Sequence, residues 1–222
     1  MAGFDLKEGM YEVQNVSEDE LWSAFARLFS SKSRNTSSYK FGFLKAILDN
    51  LYNVDVDLKL SFDQLFSKFS EIYWNLILKH GLRQKTATND NRETYLEQVF
   101  HTAEEKYKIL EPMPYESLTA EMMLDISHQA KMKCKKYVVG ALFEDTNRLF
   151  YSFSKKEEWI QINPVMYEFV CKHKVMIATV YKGNIIKNLI MDCQSYTKYR
   201  PNETTGGIFV SWRRKEELPT GA

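Results

Sequence analysis

The feature that most constrains this chain is a pair of helix-start motifs, each followed by an amphipathic run. In "SEDELWSAFARLF", Ser17 is followed three residues later by Glu20, and in "SFDQLFSKFSEIYWNLILKHG", Ser61 is followed by Gln64. In a capping box of this kind, each side chain accepts a hydrogen bond from the other residue's backbone N–H. Gly81 is a natural end for the second helix. The sequence therefore predicts two amphipathic helices with well-defined starts.

Four further segments have apolar residues at the three- and four-residue spacing of a helix. The last of them opens with Asn163 as N-cap and Pro164 at the first helical position. The segments are "TSSYKFGFLKAILDNLYN" (36–53), "NRETYLEQVFHTAEEKYKIL" (91–110), "SLTAEMMLDISHQAKMKCKK" (117–136) and "NPVMYEFVCKHKVMIATVYK" (163–182). With only 9 Gly and 5 Pro in 222 residues, the composition also speaks against a turn-rich all-β fold.

The hydrophobic period changes near residue 137. In "YVVGALFEDTNRLFYSFS", polar "EDTN" separates two apolar runs, which predicts a hairpin, and "EWIQIN" is a plausible third strand. The predicted fold is α+β and mainly α: an amphipathic helix bundle with a small antiparallel hairpin or three-stranded sheet at about 137–162. We expect an acidic N-terminal segment (1–14), a main domain (15–195) and a tail (196–222).

The sequence predicts a cytoplasmic protein that has no membrane partner. It contains no apolar run of about 18 residues, and its N-terminus lacks the basic and apolar regions of a signal peptide. Three widely spaced cysteines without a CxxC pair fit a reducing compartment and argue against a disulfide framework or a structural zinc site.

Charge is segregated along the chain although the formal net charge is only +1. Residues 1–20 hold six acidic side chains and one lysine, whereas the segment between Glu20 and Asp49 holds five basic side chains and no acid. A second acid-free stretch carries Lys131, Lys133, Lys135 and Lys136. Such segregation can create a basic face suited to phosphate, or it can reflect solvated helix faces.

Lys40 is the most unusual cation in the sequence. It lies near the middle of the apolar stripe of segment 36–53 and within its first turn, where the helix dipole opposes a positive charge. One interpretation is a phosphate site made of helix-start amides, hydroxyls and cations. The alternatives are that Lys40 extends past Tyr39 to water, or pairs with a buried acid. The predicted nucleic-acid-binding residues are Lys32, Arg34, Ser37, Ser38, Lys40, Lys45, Lys131, Lys133, Lys135 and Lys136.

The sequence offers no catalytic or metal-binding motif. It contains no HExxH, GxSxG, P-loop or glycine-rich dinucleotide turn, and no two of its four histidines are spaced as metal ligands. His80, beside Gly81, is expected to be a packed or capping residue. Cys134 lies among lysines that could activate a thiol, but a small apolar role on the inner side of the helix is favoured. We expect no cofactor, no metal and no enzymatic activity for this chain alone.

Three segments, "NTSSYKFGFLKAILDNLYNVD", "LSFDQLFSKFSEIYWNLILKHGLRQ" and "YVVGALFEDTNRLFYSFSKKEEWIQINPVMYEFV", resemble the amino-terminal region of bacterial HNH-endonuclease-domain proteins linked with anti-phage defence. The resemblance runs in the same order over roughly residues 15–180. It implies a prokaryotic defence protein. No histidine follows His173, so none of the family's HNH catalytic residues can be assigned here. The resemblance thus implies a nuclease-associated domain without the nuclease.

Two functions follow as expectations. The first is a non-catalytic, DNA-binding accessory subunit of an anti-phage defence complex, whose partner is an ATPase or a nuclease. The second is a protein-interaction scaffold that docks on an ATPase of SMC or ABC type, or on a nuclease, without contacting DNA. High aromatic content and nine methionines suit such an interface. An enzyme with a site built from residues distant in sequence ranks last.

Overall fold

A computed structural model describes residues 5–11, 16–29, 38–81, 93–175 and 177. Most of this part is helical. The helices are α1 (Glu18–Leu28), α2 (Tyr39–Asp49), α3 (Phe62–Trp74), α4 (Tyr95–Tyr107), α5 (Ala120–Asp145) and α6 (164–175), with short 3-10 turns at Leu51–Asn53 and Tyr115–Ser117. A π-helical turn, Asn75–Lys79, extends α3. None of the described helices is long and apolar enough to cross a membrane.

Both predicted capping boxes are confirmed. Ser17 and Glu20 cap α1 reciprocally, and Ser61 and Gln64 do the same for α3. Gly81 follows the π-helical turn with φ of +62°, a left-handed conformation that glycine adopts readily. Thr94 and Glu97 form a third capping box, at the start of α4. The helix starts are thus fixed by short-range hydrogen bonds that can be read from sequence.

Four short strands form one antiparallel sheet in the order β1-β3-β4-β2. The strands are β1 (Glu8–Gly9), β2 (Lys59–Ser61), β3 (Tyr151–Ser154) and β4 (Trp159–Ile162). Strands β3 and β4 form a hairpin in which Phe153 lies opposite Ile160, while β1 and β2 join its two edges. The mainly α, α+β fold class is confirmed. The acidic N-terminal segment, through β1, is part of the same sheet.

The prediction that the sheet starts near residue 137 is wrong. Residues 137–145 continue helix α5, and the first strand of the hairpin begins only at Tyr151. Val138, Val139 and Leu142 are all fully buried. A short apolar run has the same sequence pattern in a fully buried helix and in a fully buried strand. Tertiary packing therefore decides which of the two forms. The β-branched residues here pack as a helix against the sheet and the neighbouring helices.

The core lies between α2, α3, α5 and the sheet. An aromatic cluster runs along α3, where the ring centroids of Phe69 and Tyr73 are 4.8 Å apart. Helices α1 and α6 meet through Trp22 and Phe169, whose centroids are 4.9 Å apart. This packing places the C-terminal half of α5 beside the β3–β4 turn and strand β1. The predicted tail (196–222) lies outside the described residues.

Candidate nucleic-acid interface

Lys40 has its counter-charge within the fold. Its Nζ lies 2.6 Å from Oδ2 of Asp145, the last residue of α5, and its side chain is 13% exposed. The carboxylate is partly exposed rather than buried, and it comes from the C-terminal end of another helix. Of the alternatives considered for Lys40, the structure therefore shows a pairing with an acid. This ion pair ties the start of α2 to the end of α5.

The rest of the predicted helix-start site is divided between internal contacts and positions outside the described residues. Lys45 pairs with Asp49 one turn along α2, at 2.7 Å. Ser38 accepts hydrogen bonds from the hydroxyl of Tyr73 through both its carbonyl oxygen and its Oγ. Lys32, Arg34 and Ser37 lie outside the described residues. The contacts of Ser38, Lys40 and Lys45 are therefore ones that hold the fold together.

Lys131 and Lys135 on α5 are also engaged by acids. Nζ of Lys131 lies 2.7 Å from Asp63 at the start of α3 and 2.7 Å from Glu158 in the β3–β4 turn, and its side chain is 7% exposed. Lys135 pairs with the other oxygen of Glu158. Burial alone would lower the pKa of Lys131, but the hydrogen bonds to Asp63 and Glu158 raise it above its ordinary value. Lys131 therefore stays protonated as a link between three elements.

Lys133 and Lys136 differ from their neighbours because they face solvent. Both side chains are exposed, and within the described part of the chain neither has a carboxylate within salt-bridge distance. They lie on the same exposed side of α5, separated by less than one helical turn. Of the ten predicted phosphate ligands, these two are the described cations that keep their charge available at the surface.

Three further lysines, which were not identified from sequence, lie in or next to the β3–β4 turn, and one of them, Lys155, contacts this part of α5. Lys7 is joined to Lys155 because the carbonyl of Lys7 accepts a hydrogen bond of 2.8 Å from the Lys155 amide. Nζ of Lys155 donates to the carbonyl of Lys136 at 2.9 Å, and Lys156 follows, exposed, in the β3–β4 turn. We call this set the lysine face: Lys7, Lys133, Lys136, Lys155 and Lys156.

The side chain of Lys155 is affected by burial and by charges of both signs. Burial lowers the pKa of Lys155 below its ordinary value, Asp5 acts in the opposite direction, and the positive charge of Lys136 has a smaller lowering effect. Acids are present around the face as well: Glu158 is neutralised by Lys131 and Lys135, and Glu157 accepts from the indole of Trp159. The excess of positive charge is therefore local, on α5 and the turn.

Two stacked tyrosines extend from the lysine face. The rings of Tyr95, at the start of α4, and Tyr137, on α5, are nearly parallel at 12°, with centroids 5.4 Å apart. Tyr95 is 46% exposed and Tyr137 36%. Nζ of Lys136 lies 5.6 Å from the centroid of the Tyr137 ring. A cationic surface is therefore continuous with an exposed aromatic pair.

Two apolar side chains also reach solvent along α5. Leu124 is exposed two turns before Met132, and Met132 adjoins Lys133. On a folded protein single exposed apolar residues are ordinary, whereas a large contiguous apolar patch marks a contact surface. Met132 lies next to the cationic and aromatic groups of α5, whereas Leu124 lies on the opposite side of the helix from Lys133.

The described residues contain no group of three or more His, Cys, Asp or Glu side chains placed to hold a metal ion. Burial raises the pKa of the Cys134 thiol to about 12, so this cysteine is an inert core residue. His80 is the C-cap of the π-helical turn, where its amide donates to the carbonyl of Asn75.

A polar cleft of about 460 Å³ lies between α1 and the end of α5. Its carboxylates are occupied locally: Glu20 accepts from Ser17 in the capping box, and Glu144 pairs with Arg148 at 3.1 Å. Asn147 and Arg148 have positive φ values of 54° and 62°, which form the tight turn into β3. The cleft is therefore lined by the capping box of α1 and by the tight turn that leads into β3.

No protein-family model, curated protein or solved structure matches the chain. The resemblance to the amino-terminal region of HNH-endonuclease-domain proteins stays a hypothesis that rests on the quoted segments. The lysine face and the tyrosine pair are therefore interpreted from their own geometry.

Sequence patterns missed most of this surface for a physical reason. In "FSKKEEW", Lys155 and Lys156 are followed by Glu157 and Glu158, so the local charge cancels in sequence. In the fold, Glu158 turns back onto α5, Lys155 donates to the carbonyl of Lys136, and Lys156 remains exposed. The signal that could have been used is the adjacent Lys pair in a turn between two strands.

Proposed function

We propose that the protein is a non-catalytic nucleic-acid-binding subunit, and that it contacts phosphates through the lysine face. The observation that carries the proposal is the contrast between the two kinds of lysine on α5. Lys131 forms ion pairs with Asp63 and Glu158, and Lys135 forms one with Glu158. Lys133 and Lys136 instead expose their charge to solvent, and Lys155 contacts the carbonyl of Lys136.

Phosphate contacts of this type give binding that depends strongly on salt and weakly on sequence, because they release counterions and do not read base edges. A role in a prokaryotic anti-phage defence complex, with an ATPase or a nuclease as the partner, is part of the same proposal. Its support is the resemblance of residues 15–180 to a nuclease-associated region. In such a complex this chain would hold nucleic acid while its partner carries out the chemistry.

The test is binding of a labelled oligonucleotide to the purified chain at low salt. The variant Lys133→Gln/Lys136→Gln/Lys156→Gln removes three exposed cations, and we expect it to bind at least tenfold more weakly. The control Lys45→Gln/Lys68→Gln/Lys106→Gln removes the same charge from lysines that already have carboxylate partners. Equal affinity of the wild type and both variants, or no binding by the wild type at low salt, would refute the proposal.

A protein-interaction role is the second candidate, favoured by the exposed apolar side chains of Leu124 and Met132 on α5. In that role the surface binds a partner segment with apolar and acidic side chains. The variant Leu124→Gln/Met132→Gln distinguishes the two functions. It would leave oligonucleotide affinity unchanged and weaken capture of an ATPase or nuclease partner, since the lysines are untouched.

A further inference from the structure

The tyrosine pair lies where a bound nucleic-acid strand would meet it. Tyr137 follows Lys136 directly in α5 and lies four residues after Lys133, and Tyr95 stacks on it from α4. A side-chain hydrogen bond with Tyr95 raises the pKa of Tyr137, and this bond joins the two side chains. Tyr95 is 46% exposed.

We infer that this pair is a stacking platform for unpaired bases, so that the lysine face binds single-stranded nucleic acid in preference to a duplex. The inference rests on the proposed function and names its ligand class. In a duplex the bases are stacked on one another and their planes are closed to a protein side chain. In a single strand a base can turn out and stack on an aromatic ring.

The arrangement has the two parts that sequence-independent single-strand binding needs. A row of cations follows the phosphates, and an aromatic surface beside it takes the bases. The lysines of α5 and the turn supply the first part, and Tyr95 with Tyr137 supplies the second. A phenol ring offers its face to any base, so we expect little sequence preference.

The experiment compares two labelled strands that carry equal phosphate charge: an oligo-thymidylate and an abasic strand of the same length. The wild type is expected to bind the oligo-thymidylate roughly fivefold or more tightly than the abasic strand, since stacking contributes for each base engaged. Tyr95→Leu/Tyr137→Leu should bind both strands with the affinity that the wild type has for the abasic one.

Two further variants keep the result specific. Tyr137→Phe retains the ring and should retain the preference for bases. Tyr52→Leu is the matched control, because Tyr52 is an exposed tyrosine at a distance in sequence, with Lys174 lying 4.4 Å from its ring centroid. Its loss should leave both affinities unchanged.

The outcomes separate this inference from the proposed function. Equal wild-type affinity for the two strands, or a preference for a duplex of the same length, would overturn the stacking platform, while weaker binding by the lysine-face variant would still support phosphate binding. Absence of binding to either strand at low salt would overturn both. The strand comparison uses the wild-type protein, so the test holds even if a tyrosine variant does not fold.

Discussion

Lys40 illustrates how a cation on an apolar stripe can be stabilised inside a fold. The helix dipole at the start of α2 opposes its charge, but Asp145 lies 2.6 Å away, at the end of α5. The two residues are 105 positions apart in sequence, so no local pattern could name the partner. What the sequence did indicate correctly is that this lysine needs an anion.

We expect Lys40→Met to lower the free energy of unfolding by about 1 kcal/mol, because the ion pair is partly screened by water and the methionine keeps the apolar packing. Urea denaturation of Lys40→Met, Asp145→Asn and the double variant gives the coupling between the two side chains. The double variant should cost little more than either single one. A Lys40→Met protein of unchanged stability that has lost oligonucleotide binding would contradict this role.

Gly42 makes a second prediction at the residue scale. A Cβ added there would overlap Cε2 of Tyr73, a buried ring whose hydroxyl donates to the carbonyl of Ser38. Gly42→Ala would stabilise an exposed helix, but here we expect it to lower the free energy of unfolding by roughly 1–3 kcal/mol, through overpacking. Chemical denaturation shows whether the substitution lowers or raises the free energy of unfolding. A stabilised Gly42→Ala protein would show that Tyr73 does not pack on α2.

Helix α5 is the element that organises the molecule. It packs against α2, α3, α4 and the sheet, and its exposed side carries Lys133 and Lys136. Capping boxes made helix starts predictable, because their hydrogen bonds span three residues. The extent of α5 was not predictable in the same way, since the burial of Val138 and Val139 depends on strands that come later in the chain.

The contact between α1 and α6 should depend on pH. Hydrogen bonds from Lys172 and His173 lower the pKa of Glu18 below its ordinary value near 4.5. The stabilising effect is therefore present above that ordinary value and is lost as the pH falls through the lowered one. At pH 7 we expect Glu18→Gln to melt at a lower temperature than the wild type, and this difference should vanish in acid.

Asp19→Asn is the control for this prediction. Asp19 lies in the same first turn of α1, so its replacement removes a similar interaction with the helix dipole. Within the described residues it has no lysine or histidine partner. If Asp19→Asn and Glu18→Gln lowered the melting temperature equally at pH 7, the contact with α6 would contribute nothing.

At the scale of the whole molecule, whose net charge is only +1, the lysines fall into two groups with different roles. Those with internal partners, such as Lys40 and Lys131, hold elements together. The lysines of the lysine face, from the residue before β1, from α5 and from the β3–β4 turn, form a surface. Sequence segregation of charge predicted the contribution of α5. It could not predict the contributions of Lys7 and Lys156, because only the sheet brings them beside that helix.

Glu158 pairs with lysines next to the lysine face, and we predict that its replacement lowers stability but strengthens oligonucleotide binding. Hydrogen bonds from Lys131 and Lys135 lower its pKa, so it is ionised at neutral pH. Glu158→Gln should lower the free energy of unfolding by about 1–2 kcal/mol, because it removes a charged partner of the nearly buried Lys131. It should also tighten oligonucleotide binding at low salt, since Lys135 is released. Anisotropy titrations and urea denaturation of one preparation check both effects, and weaker binding by a folded variant would count against the lysine face.

The most direct test of the central claim is the salt dependence of oligonucleotide binding by the lysine-face variant and by its charge-matched control. A single-stranded probe should give a log–log slope that is less negative by roughly 0.7 for each lysine removed, or by about 2 for Lys133→Gln/Lys136→Gln/Lys156→Gln. The account predicts this change for that variant and an unchanged slope for Lys45→Gln/Lys68→Gln/Lys106→Gln. Equal slopes in both variants would contradict it.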